Sequence, residues 1–165
     1  MKLINERLDY AQPRSYKDIV TFTANNVITK DGRLVMGAGA AKACLEAFPG
    51  VDKEIVKSMK FLADKRNYGF ITTPTRLVNG LIDYEVTRFV GAFQTKRSYR
   101  EPSTLEIIKN SVKILKKRAT PPHGFDVSMW TYHMNFPGIG LGGLREEDVL
   151  PIIEELPDNV FVYKG

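Results

Sequence analysis

The stretch "GRLVMGAGAAKA", Gly32 to Ala43, is almost bare: glycine and alanine fill seven of its twelve positions. It follows "DIVTFT" (Asp18 to Thr23), a run of β-branched and aromatic residues that reads as a buried strand. It runs into a helical pattern with Ala40, Ala43, Cys44, Ala47 and Phe48 on one face, stopped by Pro49 and Gly50. A loop without side chains at a strand-to-helix junction lets several backbone N–H groups face one anion, and the helix start adds its positive dipole end.

Working outward, the same alternation of strand and helix continues. Asp52 is placed as the N-cap of a helix burying Ile55, Val56, Met59 and Leu62. Short strands are expected at "YGFIT", "LIDYEV" and "RFVGAF", separated by Pro74 and by Asn79 and Gly80. "STLE" (Ser103 to Glu106) reads as a capping box opening a helix that buries Leu105, Ile108, Val112 and Leu115. After Pro121 and Pro122 come a strand "FDVSMW", a second glycine-rich turn "PGIGLGGL" (Pro137 to Leu144), a helix "EEDVLPIIEEL" and a closing strand "NVFVYK". This order predicts helices on both faces of a mostly parallel sheet, in one domain over 1–165.

Composition narrows the function classes. The chain has 165 residues, 43% hydrophobic and 26% charged, with a net charge of +5. No apolar run of about 18 residues is present, which argues against a membrane span. The N-terminus lacks the apolar centre of a secretory signal, and a single cysteine fits a reducing compartment, so a cytoplasmic location is expected. Cys44 reads as a small buried apolar residue. Basic residues gather at "KILKKR", where a helix C-terminus accounts for them, and at "TKRSYR" (Lys96, Arg97, Arg100), where no helix does. His123 and His133 have no neighbours at metal-ligand spacing, so no metal site is expected. Ser128 lacks a nucleophile elbow. His133, just before the second glycine loop, reads first as a packed strand-end histidine and second as a ligand contact.

Both glycine-rich turns stand between a strand and a helix, the place where open α/β sheets bind ligands. "IVTFTANN" followed by "MGAGAAKA", with "PGIGLGGL" later, resembles the macro domain, the ADP-ribose-binding family, from Asp18 to the end. The resemblance implies a three-layer α/β/α sandwich with a mixed, mostly parallel sheet. It implies that Gly37, Ala38 and Gly39 wrap the distal ribose and its phosphate. Gly138, Ile139, Gly140, Leu141, Gly142 and Gly143 would then cradle the diphosphate. Asn25 or Asn26 would bind the distal ribose, and Asp9 is a possible adenine partner.

"FQTKRSYREPS" (Phe93 to Ser103) is similar to a loop of macro-domain hydrolases that strip ADP-ribose from nucleic acid or carboxylate side chains, and it gives Lys96 a catalytic role. Three departures stand out. "VITKDGRLVM", containing Asp31, is longer than the usual link between the asparagine and the first loop. The second loop lacks an acid, the nearest being Glu146, Glu147 and Asp148. "WTYHMNF" lies where a direct connection is usual. The resemblance therefore implies a cofactor-free hydrolase acting at C1″ of the distal ribose, on ADP-ribosylated protein or nucleic acid. Two alternatives are an ADP-ribose 1″-phosphate phosphatase, with an Asn or Asp near the first loop (Asn26 the one to test) positioning water, and a non-catalytic ADP-ribose reader.

Overall fold

A computed structural model describes residues 1–78, 85–120 and 130–165. In chain order these form β1 (Lys2–Ile4), β2 (Asp18–Ala24), α1 (Gly39–Ala47), α2 (Val51–Met59), β3 (Phe70–Val78), β4 (Glu85–Gln94), α3 (Leu105–Ala119), β5 (Thr131–Asn135), α4 (Glu146–Ile153) and β6 (Val160–Tyr163). One six-stranded sheet runs in the order β1-β6-β5-β2-β4-β3. Every neighbouring pair is parallel except β3 with β4.

The central strand β2 is buried on both faces because both are covered. Val20, Phe22 and Ala24 join Cys44, Ile55 and Met59 of α1 and α2 in one core layer. Ile19 joins Phe93, Ile108, Leu115, Met134 and Ile153 in the layer under α3 and α4. The sandwich with helices on both faces is therefore as expected. Cys44 is fully buried, and burial pushes its thiol far above the ordinary range, as its reading as an apolar residue requires. Among the described residues no helix is long and apolar enough to cross a membrane.

Several local expectations are corrected. Gly50, at φ +90°, caps α2, and Asp52 lies inside its first turn, buried. Only glycine takes that left-handed backbone cheaply, which moves the helix start ahead of the aspartate. Thr104, not Ser103, caps α3, its hydroxyl accepting from the Ile107 amide at 3.2 Å. "RFVGAF" does not stand apart from Glu85 and Val86: all belong to β4. Residues 79–84 of "LIDYEV" and its preceding turn lie outside the described segments. Pro74 does not end a strand but sits within β3, opposite Phe89; β3 is an edge strand, where a missing N–H costs no ladder bond. Most of "FDVSMW" also falls outside the described residues, and "TYHMN" is itself the strand β5. The apparent insertion before the second loop is thus sheet.

His133 consequently lies mid-strand, pairing with Val20 and Phe161. Its Nε2 lies 2.9 Å from Asp18 Oδ1 and its Nδ1 lies 2.8 Å from the Tyr163 hydroxyl, with the Phe161 ring stacked at 5.4 Å. Burial lowers the His133 pKa, outweighing the bond to Asp18. Burial raises Asp18, but hydrogen bonds from His133 and Ser15 outweigh it and hold the carboxyl below its usual value. A neutral imidazole donating through Nε2 to the carboxylate and accepting the tyrosine proton satisfies both ring nitrogens.

The unfolded state takes up a proton on His133 as pH falls through about 6.5, while the folded state resists it, so stability drops toward acid. Urea denaturation at pH 7.5 and pH 5.5 should show this loss, and His133→Gln should flatten it. An unchanged difference between the two pH values in His133→Gln would show that the imidazole does not titrate as described.

Candidate functional site

Because β2 is parallel to both neighbours, Ala24, Gln94 and Asn135 end at the same edge of the sheet. A cleft of about 710 Å³ opens there. Asn25, Gly37, Ala38 and Gly39 line it from the β2 side, and Gly138, Ile139, Leu141 and Gly142 from the β5 side. Thr95, Lys96, Tyr99 and Ser103 contribute from the segment after β4, with Thr23, Asn135 and Phe136 between the loops.

The first loop ends at Ala38, which caps α1 without a side-chain bond, and the helix carries no acid in its first turn. The amides of Gly39, Ala40 and Ala41 therefore have no intrahelical partner, and these residues line the cleft at the positive end of the helix. The second loop is tightly wound: Gly142 N–H donates to Ile139, Gly143 to Gly140, and Leu144 to Gly138. These turns leave the amides of Ile139, Gly140 and Leu141 outside them. Leu141, 78% exposed, reaches to 3.8 Å from where a Cβ on Gly39 would stand, so the two loops meet over the cleft.

The glycines differ in what they are for. A Cβ on Gly138 would stand 2.7 Å from Ile108 Cδ1 at a φ of +79°, and one on Gly142 would stand 2.6 Å from Ser103 Oγ. Gly138 seats the second loop against Ile108 of α3, and Gly142 seats it against Ser103 in the segment before α3. Gly37 has an ordinary φ and nothing within 4 Å of its Cβ position. The fold places no demand for glycine there, so the open space belongs to the cleft.

Asn25 is buried on the cleft, donating from Nδ2 to the Val35 carbonyl at 3.1 Å and accepting the Val27 amide at 2.8 Å. Asn26 is not on the cleft; its Nδ2 donates to the Arg66 carbonyl at 3.3 Å and the Lys65 carbonyl at 3.5 Å. The long link "VITKDGRLVM" folds as a small hairpin, with Ile28 bridging Leu34. Asp31 stands in its turn, paired with Arg33 at 2.8 Å.

Lys96 is half-buried and lines the cleft, whereas Arg97 is turned to Asn67 Oδ1 (2.9 and 3.3 Å) and Arg100 lies over the Tyr99 ring. Gly140, Gly143, His133 and Asp9 are not among the lining residues, and the Asp9 carboxylate accepts from the Ala11 amide in a surface turn. Glu146, Glu147 and Asp148 occupy the first turn of α4, pairing with Lys164 and Arg145. No cluster of metal-ligating side chains exists among the described residues. Sequence patterns do not place Tyr99, Ser103, Asn135 or Phe136 in the site; Ser103 reads there only as part of a capping box. Only the position of Asn135 at a strand end, once β5 is placed, marks any of them.

No protein-family model matches the chain, and no curated protein matches it. Solved structures do. The macrodomain of Thermus aquaticus DarG superposes with a TM-score of 0.69 at 23% identity, over 99% of this chain and 97% of that one. The macrodomain of Mycobacterium tuberculosis DarG gives 0.65 at 22% identity, over 99% and 97%. Thermosipho africanus DarTG, solved in complex with ADP-ribose, gives 0.60 at 20% identity, with 90% of this chain covering 38% of that longer one. The chain has the macrodomain fold.

The two kinds of glycine separate experimentally. Gly37→Val should leave the thermal midpoint within about 2 °C, while Gly138→Val should lower it by roughly 5 °C or more, as expected for overpacking and left-handed strain. Equal losses in the two variants would show that Gly37 is also a structural glycine.

Proposed function

We propose that the cleft binds ADP-ribose and that the chain hydrolyses the bond at C1″ of the distal ribose, releasing ADP-ribose from a modified protein or nucleic acid. The observation that carries this reading is the half-buried Lys96 in the wall of the same cleft as the two bare loops. The ADP-ribose complex of the similarly folded Thermosipho africanus DarTG supports the choice of ligand.

The parts then take distinct roles. Backbone amides at the start of α1 and in the second loop hold the diphosphate, as preorganised donors that need no reorientation. Asn25, the asparagine on the cleft, is the one assigned to the distal ribose in this reading. Water adds to C1″, the bond to the leaving group breaks, and the leaving group departs with a proton. Lys96 assists as the ammonium by stabilising the negative charge that develops on the leaving group and donating its proton, or as the free amine by attacking C1″ of an opened ribose, expelling the leaving group to form a Schiff base that water then hydrolyses. The phosphatase alternative needs an asparagine or aspartate near the first loop to position water; Asn26 lies off the cleft, which leaves Asn25 for that role.

Calorimetry should show a one-to-one complex with ADP-ribose and much weaker binding of AMP, which lacks the distal ribose. Gly37→Val should weaken ADP-ribose by ~10-fold or more, about 1.4 kcal/mol. No heat at millimolar ADP-ribose would contradict the ligand assignment.

Lys96→Ala should slow release of ADP-ribose from ADP-ribosylated protein or DNA by ~100-fold or more while leaving ADP-ribose affinity within a few fold. Full activity in Lys96→Ala removes the catalytic role. Binding without turnover of any substrate by the wild-type protein would identify a reader instead.

A further inference from the structure

The segment between α2 and β3, Asp64 to Gly69, lies outside the cleft lining, yet it is tied to both strand ends that carry site residues. Asp64 Oδ1 accepts the amides of Arg66 and Asn67, folding the segment into a compact turn. The Tyr68 hydroxyl donates to the Asn25 carbonyl at 2.5 Å. Asn26 Nδ2 donates to the Arg66 carbonyl, and the Asn26 amide donates to the Arg97 carbonyl at 3.3 Å. Asn67 Oδ1 accepts both contacts from the Arg97 guanidinium.

Gln94 sits at the centre of these ties. It is 0% exposed, which is costly for a primary amide unless each polar atom is matched. Its Oε1 accepts the Gly69 amide at 3.1 Å, and its Nε2 donates to the Arg66 carbonyl at 2.7 Å and to the Lys96 carbonyl at 3.5 Å. The Gln94 amide donates to the Gly69 carbonyl at 2.7 Å, and the Gln94 carbonyl accepts the buried Ser111 hydroxyl of α3 at 2.6 Å. An apolar side chain here would leave the Gly69 amide and the Arg66 carbonyl without these partners, so the Gln94 amide ties the 64–69 turn to the end of β4 rather than merely filling space.

We infer that Gln94 is a positioning residue: its buried amide, shared between the Arg66 and Lys96 carbonyls and backed by Asn26, fixes the Lys96 backbone so that the ammonium is held at the cleft. The inference rests on the catalytic reading of Lys96 given above. It assigns Asn26 to this bracket rather than to the ligand. A displacement of about 1 Å in a reacting group is enough to cost on the order of 100-fold in rate, so a clamp two residues away acts on turnover and not on ligand affinity.

The test compares Gln94→Met, Lys96→Ala and the double variant, measuring single-turnover release of ADP-ribose from an ADP-ribosylated DNA or protein, and ADP-ribose affinity by calorimetry. Gln94→Met should slow release by roughly 10-fold or more with Kd within about 3-fold, and it should slow the Lys96→Ala enzyme no further. If Gln94→Met does not fold, Asn26→Ala loosens the same Arg66 carbonyl from a half-exposed position and should show the same rate-only loss, about 3-fold. The inference is overturned if release is unchanged in the folded variant, if affinity falls as far as rate, or if the loss recurs undiminished on the Lys96→Ala background. Loss in Lys96→Ala with none in Gln94→Met overturns the clamp alone, whereas full activity in Lys96→Ala overturns the reading beneath it.

Discussion

Parallel pairing on both sides of β2 is the constraint from which the site follows. Parallel strands need crossover connections, so the chain after each of β2, β4 and β5 must leave the sheet at the same edge before a helix returns it. Three segments of different composition are thereby delivered to one place: a bare loop opening α1, a loop with Lys96 preceding α3, and a second bare loop preceding α4. Antiparallel pairing at β2 would scatter them over opposite ends. Among the described residues the one antiparallel strand, β3, stands at the edge, where it does not disturb this convergence.

Bareness within the cleft has two physical origins that sequence composition merges. In the second loop it permits close packing on Ile108, Leu144 and Ser103 and left-handed backbone at Gly138, Gly140 and Gly143. At Gly37 it leaves room in the cleft itself, without strain or crowding. The first is a condition for building the walls, and the second is a property of the space between them. A ligand with two phosphates suits such a site, because unpaired amides at a helix start and in a wound loop are donors that no side chain has already claimed.

Much of this was legible in the sequence. The buried strand over 18–23, the helix-breaking pair Pro49 and Gly50, the amphipathic α3 and both glycine loops are local signals, and each matches its element. What was not legible depended on partners distant in the chain. Pro74 reads as a break until β3 is known to be an edge strand, and "TYHMN" reads as an insertion until it is seen pairing with β2 and β6. Asn25 and Asn26 are adjacent and identical in type. Both follow the end of β2; one side chain lies on the cleft and the other reaches Arg66, and the three-dimensional course of 64–69 decides between them. Lys96 stood out because its loop was basic without a helix end to explain the charge; that the two arginines beside it serve Asn67 and Tyr99 instead required the structure.

The central claim is that one diphosphate-bearing ligand is held by backbone amides of both bare loops at once. An amide-resolved NMR titration with ADP-ribose tests it most directly. The amides of Gly39, Ala40 and Ala41 should shift together with those of Ile139, Gly140 and Leu141, saturating with one common Kd. Shifts confined to a single loop, or two sets with different midpoints, would contradict it.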